Sequence, residues 1–99
     1  MGAEIYIYSA RHMQESRTSL EDDLEDEFER FLAVTGGGGG VGGWNIDIEL
    51  ASDVNLDDVL PKIVRFLREW GVPEDTYLDI YPPDWEEGEA PRRVDVFPS

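Results

Sequence analysis

Apolar and polar residues alternate with a period of two in several stretches of the chain, a pattern typical of strands with one buried face. Three stretches alternate clearly, Glu4–Tyr8, Trp44–Leu50 and Thr76–Tyr81. A fourth, Arg92–Phe97, follows the same pattern, and its two valines are predicted to point inward. We therefore predict four strands that each pack one face against a core.

A first helix is predicted between the first two alternating stretches. Thr18 and Glu21 have the spacing of a capping box, and Ser19 is an alternative N-cap one residue later. Apolar residues at helical spacing form its predicted buried stripe: Leu20, Leu24, Phe28, Phe31 and Leu32. The other face is acidic, and we regard four of its carboxylates as a secondary acidic surface for a basic partner: Asp22, Asp23, Asp26 and Glu29.

A second helix is predicted to begin at Asn55 as N-cap and to stop at Gly71. Pro61 lies past the first turn, where it removes a hydrogen bond, so it should bend the helix or split off that turn. The predicted buried stripe consists of Leu56, Val59, Leu60, Ile63, Phe66, Leu67 and Trp70.

Seven of the ten glycines lie between Gly36 and Gly43. Glycine loses the most backbone entropy on ordering, so such a run indicates a special backbone need, at positive φ or in close approach to another strand. Two topologies are open. The block is a loop, or residues from Val34 to about Gly40 form an edge strand that turns through Val41–Gly43 into the next strand. The sequence favours the hairpin, because glycines supply the positive φ values of tight turns.

The predicted order is therefore strand, helix, glycine strand, strand, helix, strand, strand, in one domain spanning residues 1–99. This order predicts an α+β fold, a ferredoxin-like plait (β-α-β-β-α-β) plus a C-terminal strand. The sheet should be mostly antiparallel with both helices on one face. Because the strands alternate instead of reading as continuous apolar runs, the other face is expected to be uncovered.

All four tyrosines of the protein fall on that uncovered side, interleaved with carboxylates. Tyrosine is enriched at protein interfaces, although its high β-propensity is an alternative explanation for its place in the strands. We take seven residues as candidate partner-binding positions: Tyr6, Tyr8, Asp47, Glu49, Tyr77, Asp79 and Tyr81. We call the whole surface the open face; its predicted members are Glu4, Tyr6, Tyr8, Asn45, Asp47, Glu49, Tyr77, Asp79, Tyr81, Arg93, Asp95 and Phe97.

The charge of the chain narrows the classes of partner. Twenty-three acidic residues against eight basic ones give a formal net charge of −15. Such a protein repels nucleic acid and anionic membranes and attracts basic proteins. Without cysteine, a basic leader segment or an 18-residue apolar run, the sequence is expected to be a soluble cytoplasmic protein.

No motif for cofactor, metal or catalysis is found, and we expect none of the three. The glycine block matches G-x-G-x-x-G trivially, and a strand follows it where the dinucleotide motif needs a helix. The acidic helix has no calcium-loop spacing. His12 is the only histidine and has no triad signature around it. Trp85, in a proline-bounded loop, is a further candidate anchor for a partner, or else it covers the edge of the core.

In its general character the chain resembles the immunity proteins of bacterial polymorphic toxin systems: short, acidic, free of cysteine, and with an aromatic and carboxylate surface. This resemblance implies an inhibitor that binds and neutralises a basic toxin, without being an enzyme itself. The alternatives are another acidic interaction module, including a DNA mimic, and a small enzyme using His12, which has the least support. The oligomeric state is not predicted.

Overall fold

A computed structural model describes residues 2–11, 17–40 and 43–97. Their order of elements is the predicted one, and the α+β class is confirmed. Five strands and two helices follow one another as β1 (Glu4–Ser9), α1 (Arg17–Glu27), β2 (Leu32–Gly40), β3 (Gly43–Leu50), α2 (Leu56–Trp70), β4 (Tyr77–Tyr81) and β5 (Arg92–Asp95).

The strands form one sheet in the order β2-β3-β1-β4-β5, and each neighbouring pair is antiparallel. The inward residues of the strands and the apolar stripes of both helices belong to a single hydrophobic cluster. Burial of each such side chain stabilises the fold by about 1.5–3 kcal/mol. The largest fully buried members are Ile5, Ile7, Leu20, Leu24, Ile46, Ile48, Leu50, Ile63, Leu67, Leu78, Ile80 and Val96.

The glycine block is an edge strand, which confirms the hairpin interpretation. β2 pairs with β3 from Leu32 opposite Leu50 to Gly40 opposite Gly43, with an irregularity between Val34 and Gly36. Residues 41–42, at the predicted turn, lie outside the described residues. Beyond the irregularity, successive glycines of β2 oppose β3 residues on alternate faces of the sheet, as in any regular strand.

Gly43 lies at a position where the backbone conformation and the close packing allow no other residue type. Its φ of 120° lies in the region that L-residues avoid. A Cβ built there would stand 2.1 Å from the carbonyl oxygen of Ser9. Both predicted reasons for glycine, positive φ and close approach to a neighbouring strand, therefore hold at this position.

The ends of α1 differ from the prediction. Arg17 is already helical, so Thr18 and Ser19 lie inside the helix and not at its N-cap. The helix ends at Glu27, and the amides of Phe31 and Leu32 both donate to the carbonyl of Phe28, at 2.8 and 3.1 Å. Leu32 pairs with β3, which requires extended backbone, and this pairing stops the helix before its predicted stripe is complete. Phe31, predicted to be buried, is consequently 46% exposed.

α2 and the C-terminal strand follow the prediction more closely. Asn55 caps α2 by accepting from the amide of Asp57 at 2.9 Å, and Gly71 ends it in the left-handed conformation at φ 96°. Pro61 does not split the helix, which is continuous. β5 is shorter than predicted: Phe97 lies beyond it and packs against the hydrophobic cluster instead of lying on the open face.

Candidate protein-binding face

The antiparallel register arranges the open face in three rows that run across the strands, because directly opposite residues share a face. Rings lie along β1 and β4, whereas carboxylates and then glycines lie toward the β2 edge. In the direction from β2 to β5, the rows are Ala33, Glu49, Glu4 and Tyr81; Gly36, Asp47, Tyr6, Asp79 and Arg93; and Gly38, Asn45, Tyr8, Tyr77 and Asp95.

The four tyrosines form one connected series of ring contacts. Tyr81 and Tyr6 meet edge to face with centroids 5.2 Å apart, and Tyr6 and Tyr8 lie 6.4 Å apart. Tyr8 continues to Tyr77 at 5.5 Å. These separations lie in the range where aromatic pairs attract each other. All four rings are half-buried, so the series is held by its own contacts and still presents a surface to solvent.

Trp85 extends this series at the Tyr81 end. Its ring stands edge to face on Tyr81 at 5.1 Å, and its indole Nε1 donates to the carbonyl of Glu89 at 3.0 Å. The loop after β4 therefore places Trp85 beside the open face and not over the edge of the core. We call the five rings Trp85, Tyr81, Tyr6, Tyr8 and Tyr77 the aromatic row.

At the other end of the aromatic row, Arg93 covers Tyr77. The guanidinium carbon is 4.1 Å from the ring centroid, within the range of a cation–π contact. The same guanidinium donates to both carboxylate oxygens of Asp79, at 2.9 and 3.2 Å. Asp79 is only 8% exposed. Its charge is therefore used inside the protein, and it is not offered to a partner as the sequence suggested.

Asp47 and Glu49 are the candidate carboxylates that remain half-exposed on the open face. Asp47 accepts a hydrogen bond from Asn45 Nδ2 at 2.9 Å, which fixes its side chain along β3. Glu49 lies directly opposite Glu4 in the register. Like charges that face each other across strands destabilise a sheet, so this pair favours the binding of a cation.

The hydroxyl groups of the central tyrosines face these acids. Tyr6 donates to Glu4 at 3.2 Å. Burial, and after it the charge of Glu4, raises the pKa of Tyr6, and burial followed by the charge of Asp47 raises that of Tyr8. Both hydroxyls thus stay protonated well above neutral pH. The single hydrogen of Tyr6 is donated to Glu4, whereas Tyr8 can donate a hydrogen bond to a partner.

The secondary acidic surface lies on a different side of the molecule. Its four carboxylates are exposed on α1 and in the turn after it. Because the apolar stripe of α1 packs on the helix-covered face of the sheet, these acids point away from the open face. Asp23 accepts a hydrogen bond from Trp70 Nε1 at 2.8 Å, which ties α1 to α2. The structure does not join the two acidic surfaces into one site.

A cleft of about 590 Å³ opens where β1 and β2 end and β3 and β4 begin. Tyr8, Tyr77, Gly38, Trp44 and Asp75 are among the residues that line it. The buried Nε1 of Trp44 has no hydrogen-bond partner in the part of the chain that the structure describes. The cleft is continuous with the open face through its two tyrosines.

Asp75 fastens one side of this cleft, a role that the sequence analysis missed because no local pattern marks it. One carboxylate oxygen accepts from Ser9 Oγ at 2.5 Å and the other from the amide of Ala10 at 2.9 Å. Burial opposes ionisation, but these two hydrogen bonds outweigh it and lower the pKa of Asp75 below its ordinary value. Asp75 thereby ties the end of β1 to the segment before β4.

We expect Asp75→Asn to cost about 1–2 kcal/mol of stability at pH 7, as loss of hydrogen bonds to a charged group does. A lowered folded-state pKa contributes stability above the unfolded pKa, near about 3.9, and loses it as the pH falls further. The difference in urea midpoint between variant and parent should therefore shrink from pH 7 to pH 3. Glu74→Gln removes the same charge from an exposed neighbour and serves as control. An equal difference at both pH values would contradict this role.

The charge balance of the folded protein predicts a response to salt. Against a net charge of −15, the ion pairs in the described ranges include Arg65–Glu69, Arg92–Asp57 and Arg93–Asp79, two of them exposed on both sides. Exposed pairs contribute little, so repulsion among the acids dominates. Moderate NaCl should screen it and raise the urea midpoint. An unchanged or lower midpoint would show that repulsion does not limit stability.

The described ranges show neither a cluster of residues for a metal ion nor a helix that could span a membrane. No three carboxylates among residues 2–11, 17–40 and 43–97 are grouped to hold a metal ion. No helix in those ranges is long and apolar enough to cross a membrane. His12 lies outside the described residues. Comparisons with protein-family models, with curated proteins and with solved structures gave no match.

Proposed function

We propose that this protein is a small acidic inhibitor that binds a basic protein partner through its open face, and that the partner is a bacterial toxin which it neutralises as an immunity protein. The aromatic row carries this proposal. Five rings in mutual contact, half-exposed and flanked by carboxylates, combine the apolar anchors and the charge that protein interfaces use.

The order of groups across the open face supports binding by anchors with electrostatic steering. The rings lie at the centre of the sheet, where a partner excludes water from them most completely. Asp47 and Glu49 lie beside the rings, where they attract cationic side chains and accelerate association. The net charge of −15 extends that attraction beyond the contact surface.

Another acidic interaction module, including a DNA mimic, remains the alternative. A DNA mimic relies on carboxylates in place of phosphates, and its binding would compete with DNA for the same target. The central position of the rings favours a partner that this protein recognises through apolar contacts. An enzyme using His12 has no supporting observation among the described residues. We further propose that the protein acts in the bacterial cytoplasm, which its lack of cysteine suits.

The architecture that we propose for this inhibitor is a ferredoxin-like plait extended by one strand. It is supported by the position of β1 between β3 and β4, by β2 outside β3, and by the two helices between strands in the chain. β5 is the additional strand, added outside β4.

The decisive test is neutralisation. The gene directly upstream in the source genome should encode a protein whose expression stops growth, and co-expression of this chain should restore growth. The purified pair should form a complex that does not exchange with DNA. A neighbour without toxicity, or toxicity that persists on co-expression, would refute the immunity function. Loss of the complex in excess DNA would favour the DNA mimic.

A further inference from the structure

We propose that β2 is the docking edge of the inhibitor: an extended segment of the basic partner adds to the sheet beside β2, and its lysine or arginine side chains cross the glycines to reach Asp47. This inference rests on the proposed function and assigns a second, backbone-mediated contact to the same partner. It concerns the free edge of the sheet, whereas the aromatic row lies on its face.

The first argument is that the glycine half of β2 carries little of the protection that edge strands normally have. Natural edge strands are blunted by charged residues, prolines, short length or a β-bulge. The irregularity of β2 lies between Val34 and Gly36, and Gly36–Gly40 beyond it pair regularly with β3. β2 is nine residues long and contains no charged residue and no proline, and among the residues that the structure describes it pairs with β3 alone. The opposite edge strand, β5, has four residues, and three of them are charged. The unprotected edge is thus confined to the glycine side of the sheet.

The second argument is geometric. Gly36 lies directly opposite Asp47, and an added Cβ at Gly36 would be 3.3 Å from a carboxylate oxygen of Asp47. Gly38 lies opposite Asn45 in the same way. The β2 positions opposite Asp47 and Asn45 therefore carry no side chain on this face, and Thr35, at the irregularity, donates its hydroxyl to the backbone carbonyl of Asp47 at 3.3 Å. Strands are spaced about 4.8 Å apart, so an added strand would lie about 10 Å from β3. The long apolar stems of lysine and arginine can cover that gap over bare glycine backbone.

The third argument identifies the occupant. A second copy of this chain could also pair along β2, but each copy carries a charge of −15, and the two acidic molecules would repel each other. A segment with alternating cationic residues meets the opposite situation, because every second side chain of an added strand faces the same side. Charge complementarity thus selects a basic extended segment over self-association.

The test uses a short capped peptide of alternating lysine and valine as probe, with a glutamate–valine peptide as its charge control. Binding of the lysine peptide to the full chain should slow hydrogen exchange at least about fivefold at those alternate amides within Gly36–Gly39 that point to the free edge, since edge amides that gain partners are protected. The glutamate peptide should produce no slowing.

Backbone pairing is separated from plain charge attraction by N-methylation. In a strand, the amides of alternate residues point to the same edge. Two peptides are compared: one carries a methyl group on the backbone amide nitrogen of every lysine, the other on the backbone amide nitrogen of every valine. One of them should therefore lose binding while the other keeps it. Equal binding of both would overturn strand addition, because methylation leaves the charge unchanged.

Gly36→Lys places an internal cation against Asp47 and should weaken binding of the lysine peptide at least about tenfold, through loss of the charge contact and steric block of the edge. Ala90→Lys makes the same change of net charge at an exposed loop position and should change affinity less than about twofold. Equal effects of the two variants would overturn the role of the glycine edge. So would dimers detected by light scattering without any peptide, if hydrogen exchange shows that the edge amides of β2 are protected in them.

The outcomes separate this inference from the proposed function. Growth rescue by the chain together with unprotected β2 amides would leave the inhibitor standing and remove edge docking. Protected β2 amides without rescue of any toxin would leave an acidic strand-binding module and refute the immunity function.

Discussion

Replacement of Gly43 by alanine is expected to cost about 3 kcal/mol or more of the free energy of unfolding, a loss that approaches the total stability of a small domain. Two penalties add at this position. The φ of 120° is one that L-residues adopt only with strain, and the new Cβ would stand 2.1 Å from Ser9 O and 2.8 Å from the Cα of Ala10. Those atoms are backbone of the β1 end, so the clash cannot be relieved by rotating a side chain.

Gly71→Ala and Gly88→Ala are the matched controls, measured by urea unfolding beside Gly43→Ala. Both glycines have positive φ, 96° and 97°, but an added Cβ meets no heavy atom within 4 Å. Each should cost only the strain of the left-handed conformation, about 1–2 kcal/mol. Equal losses in all three variants would mean that the close approach to β1 contributes nothing.

Sequence pattern predicts an element well where local and tertiary preferences agree. The alternation in β1 and β3 coincides with the faces that the sheet buries and exposes, and so does that in β4 except at Asp79, which is buried under Arg93 on the open face. The side-chain oxygen of Asn55 accepts from the amide of Asp57, and the amide of Gly71 donates to the carbonyl of Leu67, so both caps of α2 involve neighbouring residues alone. The hairpin of β2 and β3 was favoured for the same reason, since glycines suit its geometry whatever packs around it.

The errors arise where a distant contact decides. The apolar spacing of Phe28, Phe31 and Leu32 fits a helix, but pairing of Leu32 with Leu50 requires a strand, and the long-range pairing prevails. Phe97 continues the alternation of β5, yet the strand ends at Asp95 and the ring packs on the core. Local periodicity contains no information about either partner.

In the candidate site, too, local pattern predicts some features, and contacts between distant parts of the chain determine the others. Alternation alone placed the tyrosines and carboxylates on one face. The register, which no single strand encodes, determines that Arg93 meets Asp79 and that Gly36 meets Asp47. The sequence therefore does not distinguish a carboxylate that is available to a partner from one that is already paired within the protein. Asp75 was missed because its partners, Ser9 and Ala10, lie more than sixty residues away.

Tyr8→Ala and Tyr81→Ala should each weaken binding of the basic partner at least about tenfold, or about 1.4 kcal/mol. Tyr8 contacts Tyr6 and Tyr77, and Tyr81 contacts Tyr6 and Trp85, so each truncation removes one ring and loosens two others. The fold should survive, because neither ring belongs to the hydrophobic cluster. Titration calorimetry measures the affinity, and circular dichroism with urea unfolding verifies the fold.

Phe31→Ala is the matched control, since it truncates an exposed aromatic residue outside the open face and should leave affinity unchanged. Asp47→Asn and Glu49→Gln should act differently, mainly by slowing association and flattening its dependence on salt, because exposed charges steer the encounter. Unchanged affinity in both tyrosine variants would remove the aromatic row from the interface. If only the two carboxylate variants then weakened binding, the partner would be held by charge at the β2 side of the sheet, where Asp47 adjoins the glycines.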